Sequence, residues 1–121
     1  MLDGLGITTR VDRSAATIEV DGCGGELPGL EAHVSANQSG TTARFAVPLA
    51  ALSDSPVVVD AHEQMRDRPM GDQFAALRAM GVTIEELGVP NRLPARITGP
   101  ITAHDAAVPG NTASQFITGL M

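Results

Sequence analysis

The 121-residue sequence predicts an α+β (α/β) domain, with the order strand, helix, strand, helix, strand, strand over residues 30–98. Three observations lead to that class. Short apolar or alternating stretches of strand length trade places with longer stretches of helical spacing. Clusters of glycine, proline, serine and aspartate separate them. The composition, 43% hydrophobic and 18% charged, is that of a packed chain, and the length suits one core.

Residues 7–12 and 16–21 are read as a strand pair. Ile18 and Val20 alternate with Thr17, Glu19 and Asp21, and Arg13-Ser14-Ala15 makes the turn. Gly22-Cys23-Gly24-Gly25 and Pro28-Gly29 form a loop, and Leu30 to Val34 reads as the next strand. From Thr41 to Leu52 the residues are apolar nearly all round, which predicts a buried helix. Pro48 inside it removes one hydrogen bond and kinks it. Ser53 to Pro56 is a turn, and Val57-Val58-Val59 a buried strand. A second helix runs from Met70 to Met80, with Phe74, Leu77 and Met80 on one face and Gly81 ending it. Val82 to Leu87 and Ala95 to Thr98 are strands joined through a Gly88-Val89-Pro90-Asn91 turn. Residues 101–108 are expected to pair as a further strand, and Asn111 or Thr112 to cap a last helix.

This order divides the chain as one partial domain. Residues 1–29 supply a strand pair and loop of a preceding unit, residues 30–100 a central β-α-β-α-β-β unit, and residues 101–121 the start of a following one. A window cut from a tandem array would look like this.

Composition narrows the function. The net charge of −6 and pI near 4.8 argue against a general nucleic-acid binder. Every basic residue is arginine, so chemistry that needs a lysine has no group here. The single Cys23 cannot form an internal disulfide, which suits a reducing compartment and a cytoplasmic protein. No signal peptide and no apolar run of membrane length is visible. His33, His62 and His104 are scattered without metal-ligand spacing, and no metal or cofactor is expected. Gly22 to Gly25 precedes Pro28-Gly29 rather than a helix, so it is no dinucleotide fingerprint.

Three polar motifs remain: Ser39-Gly40-Thr41-Thr42-Ala43-Arg44, Arg66-Asp67-Arg68-Pro69-Met70-Gly71 and Asn111-Thr112-Ala113-Ser114-Gln115-Phe116. Each lies before or at a predicted helix start, where free backbone N–H groups favour anions. Taken singly, Ser39 to Thr42 is also what an ordinary helix cap looks like, and so is Ser114. Arg44 sits in the most apolar helix, so it either pairs structurally or faces a site. Arg68, directly before Pro69, is biased to extended backbone just ahead of a helix; the alternative is a solvated arginine paired with Asp67 or Asp72.

Together the motifs resemble those of the 5-enolpyruvylshikimate-3-phosphate synthase family, in order and spacing. Gln38 to Arg44 is similar to that family's Asn-Ala-Gly-Thr-x-x-Arg helix start, Asp67 to Gly71 to its Glu-Arg-Pro-(Ile/Leu)-Gly segment, and Ala113 to Thr118 to its Ser-Ser-Gln-Phe-(Leu/Ile)-Thr segment. The resemblance implies an inside-out α/β barrel of β-α-β-α-β-β units, of which this chain would hold one unit and its flanks. It implies phosphoenolpyruvate and shikimate 3-phosphate as substrates, and the remainder of a longer chain as partner. By the same resemblance Arg68 would hold the anionic end of phosphoenolpyruvate, and Gly40 with Thr41 would line that pocket. Ser114 would bond the shikimate phosphate, Gln115 would reach both substrates, and Arg44 would support the site. Ala113 stands where the family usually has a first serine, and Gln38 where asparagine is common. No catalytic residue is assigned: the family's lysines and acid–base carboxylates have no counterpart, so the chain alone is expected to be inactive.

Two other readings stand beside this one. The UDP-N-acetylglucosamine enolpyruvyl transferases carry a reactive cysteine just before the Arg-Pro dipeptide, and residues 62–67 contain none. A non-catalytic anion-binding or scaffold module is the alternative of a different class. Excised faces would leave apolar surface exposed, so self-association is expected, with neither nucleic acid nor membrane as partner.

Overall fold

In the computed structural model, which describes residues 1–29, 31–111 and 113–121, a mixed four-stranded sheet organises most of the chain. Before it, β1 (Thr9–Asp12) and β2 (Thr17–Val20) form an antiparallel hairpin of their own. The carboxylate of Asp12 shapes its turn by accepting from the Ser14 and Ala15 N–H groups and the Ser14 hydroxyl. Next come β3 (Ala32–Ser35), α1 (Gly40–Ala50) and β4 (Val57–Asp60). A one-turn α2 (Glu63–Arg66) and α3 (Gly71–Ala79) lead to β5 (Thr83–Glu86), β6 (Ala95–Thr98) and finally α4 (Ser114–Leu120).

The sheet order is β3-β4-β6-β5, with β3 parallel to β4 and the other two pairings antiparallel. The parallel pair needs a crossover, and α1 supplies it. Val34, Val57, Val59, Ala95 and Ile97 bury one face of the sheet. Against that core stand Ala43, Ala46, Val47 and Ala50 of α1 with Phe74 and Leu77 of α3. Alanine on α1 adds little bulk and lets the helix lie close to the sheet. The turn after α3 is closed by Gly81, whose φ of +90° is cheap only for glycine.

The predicted order of elements over residues 30–98 is present, with differences that packing explains. Leu30, predicted to open β3, and Thr112, predicted as a possible cap, lie outside the described residues. Val57 to Val59 is not buried throughout: Val58 points to the half-open face, as the period of two requires. The predicted helix over 41–52 is not buried all round either, since Phe45 and Leu52 are exposed. Residues 101–108 form no strand: the N–H groups of Thr102 and Ala103 both donate to Met80 O at the end of α3 instead of joining a ladder. Ala113, whose side chain cannot cap, occupies the N-cap of α4. The short α2 was not foreseen.

A candidate anion-binding cleft at three helix starts

Ser39 caps α1: its hydroxyl oxygen accepts from Thr42 N at 3.1 Å and from Thr42 Oγ1 at 2.8 Å. The N–H groups of Gly40 and Thr41, in the first turn, have no partner within the helix. They stand at the positive end of an eleven-residue helix dipole. Gly40 also faces Met65 of α2, whose Cε would lie 3.1 Å from a Cβ added there. The ordinary cap and the anion-ready helix start are thus one structure, not alternatives.

Arg68 follows α2 and precedes α3. Its N–H closes a turn on Met65 O at 3.1 Å. Neighbouring bonds hold the segment on both sides: Asp67 pairs with Arg92 at 2.6 Å, and Met70 N donates to Asn91 O at 2.8 Å. Because Asp67 is engaged by Arg92, it does not neutralise Arg68. Among the described residues no carboxylate pairs with the Arg68 guanidinium, which is exposed.

Arg44, one turn into α1, is half-buried against α4. Its Nη1 donates to Gln115 Oε1, and its guanidinium carbon lies 5.0 Å from the centre of the buried Phe116 ring. The carbonyl of the same residue accepts from Gln73 Nε2 of α3 at 2.7 Å. Of the two alternatives for Arg44, structural pairing is present, through its side chain and through its backbone carbonyl.

These elements converge on a cleft of about 250 Å³ lined by Gln38, Gly40, Thr41, Arg44, Met65, Arg68 and Gln115. Ser114, the first residue of α4, is exposed beside Gln115 and does not line the cleft. Met65 and Gln38 line it without having been singled out as site residues. Met65 had a faint signal, being three residues before Arg68 in a run of helix formers. Two guanidinium groups, a helix start and two side-chain amides line the space, and among the described residues no carboxylate does. Such a set can hold a small phosphate or carboxylate by charge-assisted hydrogen bonds. It offers no group suited to take or give a proton near neutral pH.

The perturbed carboxylates lie elsewhere. Burial opposes ionisation of Asp60, but hydrogen bonds from Arg66 and the Ala61 N–H, with the charges of Arg66 and His33, hold its carboxyl below the ordinary value of 3.8. Glu86 is held low by Arg78 and the Asn91 N–H, against a smaller effect of burial. Larger cavities, about 340 and 380 Å³, flank α4 but are lined mainly by apolar side chains such as Val108, Ile117, Leu49 and Leu52.

The fold is that of the enolpyruvyl transferases. EPSP synthase from Acinetobacter baumannii matches 97% of this chain with a TM-score of 0.75 at 20% identity, this chain covering 27% of that one. The family model of EPSP synthase (3-phosphoshikimate 1-carboxyvinyltransferase) matches residues 1–121, and the chain belongs to that family. The 3-phosphoshikimate 1-carboxyvinyltransferase of Mycobacterium ulcerans is 40% identical over 111 residues, covering 86% of this chain and 25% of the relative. That of Methanospirillum hungatei is 36% identical over 112 residues, covering 93% and 26%. The chain therefore spans about a quarter of the length of the curated relatives it matches. Neither the UDP-N-acetylglucosamine reading nor the scaffold reading is favoured by these matches.

Proposed function

We propose that this chain forms part of the substrate cleft of an enzyme that transfers the enolpyruvyl group of phosphoenolpyruvate to the 5-hydroxyl of shikimate 3-phosphate. In that reaction the hydroxyl gives up its proton and adds to C2 of phosphoenolpyruvate as C3 is protonated; C3 then loses a proton as phosphate leaves, which restores the double bond. One observation carries the reading: Arg68, unpaired among the described residues, and Arg44 line a carboxylate-free cleft at the start of α1. Arg68 offers a planar fork to the anionic end of phosphoenolpyruvate, and the Gly40 and Thr41 N–H groups add helix-start donors. Gln115 reaches into the same space, and Ser114 beside it serves the shikimate phosphate. Arg44 supports the cleft from α1.

The 121-residue chain binds but does not turn over, because its cleft carries no lysine and no carboxylate. The division into residues 1–29, 30–100 and 101–121 is supported by a hairpin with its own pairing, a central four-stranded sheet, and an α4 that packs on α1. The remainder of an enzyme of this family is the partner that completes the site. A cytoplasmic setting is supported by the lone Cys23, and a non-membrane one by the lack, among the described residues, of any helix long and apolar enough to cross a membrane.

Titration of the isotopically labelled chain with phosphoenolpyruvate and shikimate 3-phosphate, followed through the Arg44 and Arg68 side-chain signals, tests the cleft. Saturable shifts of both are expected, with no release of phosphate. Signals that stay still at millimolar ligand overturn the binding role, and product formation overturns the inactive state.

A further inference from the structure

Pro48 lies four residues after Arg44 in α1, and a proline has no N–H to donate to the carbonyl four residues back. The Arg44 carbonyl is therefore deprived of its helix partner. The missing donor comes from another helix: Gln73 Nε2 of α3 reaches it at 2.7 Å. Gln73 is fully buried, in a position where packing alone would favour an apolar side chain, and among the described residues its Oε1 has no hydrogen-bond partner. A buried amide that satisfies only one of its ends is retained at a cost, so the end that is satisfied has a purpose. At the same carbonyl α4 comes close as well: a Cβ added to Gly119 would stand 2.9 Å from Arg44 O and 3.4 Å from Gln73 Nε2. Three helices thus meet at the backbone of one arginine, whose guanidinium is held by Gln115 and Phe116 of α4.

We propose that Gln73 is a positioning residue for the cleft: its amide replaces the helix hydrogen bond that Pro48 removes, and so sets where Arg44 stands against α4. Without that donor the turn of α1 around Pro48 has a part-buried carbonyl to satisfy, and it satisfies it by shifting, which carries the guanidinium off Gln115 and the Phe116 ring. The functional meaning of this device rests on the cleft reading above; the positioning itself does not.

The test uses Gln73→Met, which keeps an unbranched side chain but removes both polar ends. It is paired with Pro48→Ala, which restores a backbone N–H opposite the Arg44 carbonyl. Two readouts are taken on the 121-residue chain: the side-chain N–H signals of Arg44, shifted by the Phe116 ring, and the affinity for phosphoenolpyruvate. In Gln73→Met the Arg44 signals are expected to lose the ring shift, and affinity to fall about fivefold, the loss of roughly one hydrogen bond. In Gln73→Met/Pro48→Ala both are expected to return, while Pro48→Ala alone changes neither. Arg44 signals that stay in place in Gln73→Met overturn the proposal, as does a double variant that fails to regain them. Should Gln73→Met not fold, the double variant must fold with native Arg44 signals, and its failure to do so overturns the proposal equally. A wild-type chain that takes up no phosphoenolpyruvate counts against the cleft reading alone, and the Arg44 signals then decide the positioning.

Discussion

Arg68 and Arg44 line one cleft in opposite circumstances. Arg68 is exposed and, among the described residues, forms no ion pair with a carboxylate, whereas Arg44 is half-buried, hydrogen-bonded to Gln115 and stacked on Phe116. Truncation should therefore separate binding from stability. Arg68→Ala is expected to weaken phosphoenolpyruvate binding at least about tenfold, since hydrogen bonds to a charged group are worth about 1.5–3 kcal/mol. The same change should leave the unfolding free energy within ~0.5 kcal/mol of wild type, as at other surface positions. Calorimetric titration beside urea unfolding checks both, and an Arg68→Ala chain with wild-type affinity removes Arg68 from the cleft. Ser39→Ala takes away the acceptor for Thr42 N and should cost about 1 kcal/mol of stability by the same unfolding measurement. A neutral result would mean that water replaces the cap.

At the scale of elements, α2 is held by a two-point clamp. Arg66 Nε and Nη2 donate to the two oxygens of Asp60 at 2.9 and 2.7 Å, tying the short helix to the end of β4. That tie sets Met65 against Gly40 and starts the Arg68 segment. Because Arg66 is exposed, solvent screens the pair, and Asp60→Asn should cost only about 0.5–1 kcal/mol. The pH dependence has a definite sign. Asp60 and Glu86 titrate lower in the folded chain than in the unfolded one, so their stabilisation is complete above the ordinary values of 3.8 and 4.5. It is lost as pH falls below those values through the lowered ones. Urea unfolding from pH 7 down to pH 3 should show wild type losing stability more steeply at the acid end than Asp60→Asn; parallel curves would mean that the clamp does not depress the carboxyl. Nothing in the sequence announces the clamp. Asp60 and Arg66 are six apart across a strand end, a separation that belongs to neither the helical nor the strand period. Single-turn α2, too short for periodicity to register, was missed for the same reason.

Across the whole molecule, apolar surface is distributed unevenly. Val11, Ile18 and Val20 are exposed on the hairpin, and Phe45 and Leu52 flank an apolar groove between α1 and α4. This favours self-association of the 121-residue chain, expected as a sedimentation coefficient that rises with concentration. Leu52→Glu, on an exposed position, should reduce that rise while changing stability by no more than ~0.5 kcal/mol; a wild type that stays monomeric throughout would overturn the expectation. The central order of elements was legible because its signals are local. The alternation in β2, the Phe74-Leu77-Met80 spacing with Gly81 after it, and the Pro and Gly turns act through nearest neighbours along the chain. So do the helix starts at Ser39-Gly40 and Ser114-Gln115, and the placement of Arg68 before Pro69. Contact between those starts depends on how α1, α2 and α4 pack, over separations such as the 71 residues between Arg44 and Gln115. The further strand over 101–108 failed on this point, since a strand needs an edge to join and Thr102 and Ala103 donate to Met80 O instead. By itself the sequence determined the central order of elements, the family resemblance and the residue types of the cleft, because local propensity and motif order are written along the chain. Only the tertiary structure decided that Arg92 draws Asp67 away from Arg68, that Gln73 answers the carbonyl Pro48 orphans, and that Met65 meets Gly40. Those pairings come from close packing of distant segments, which no local period encodes.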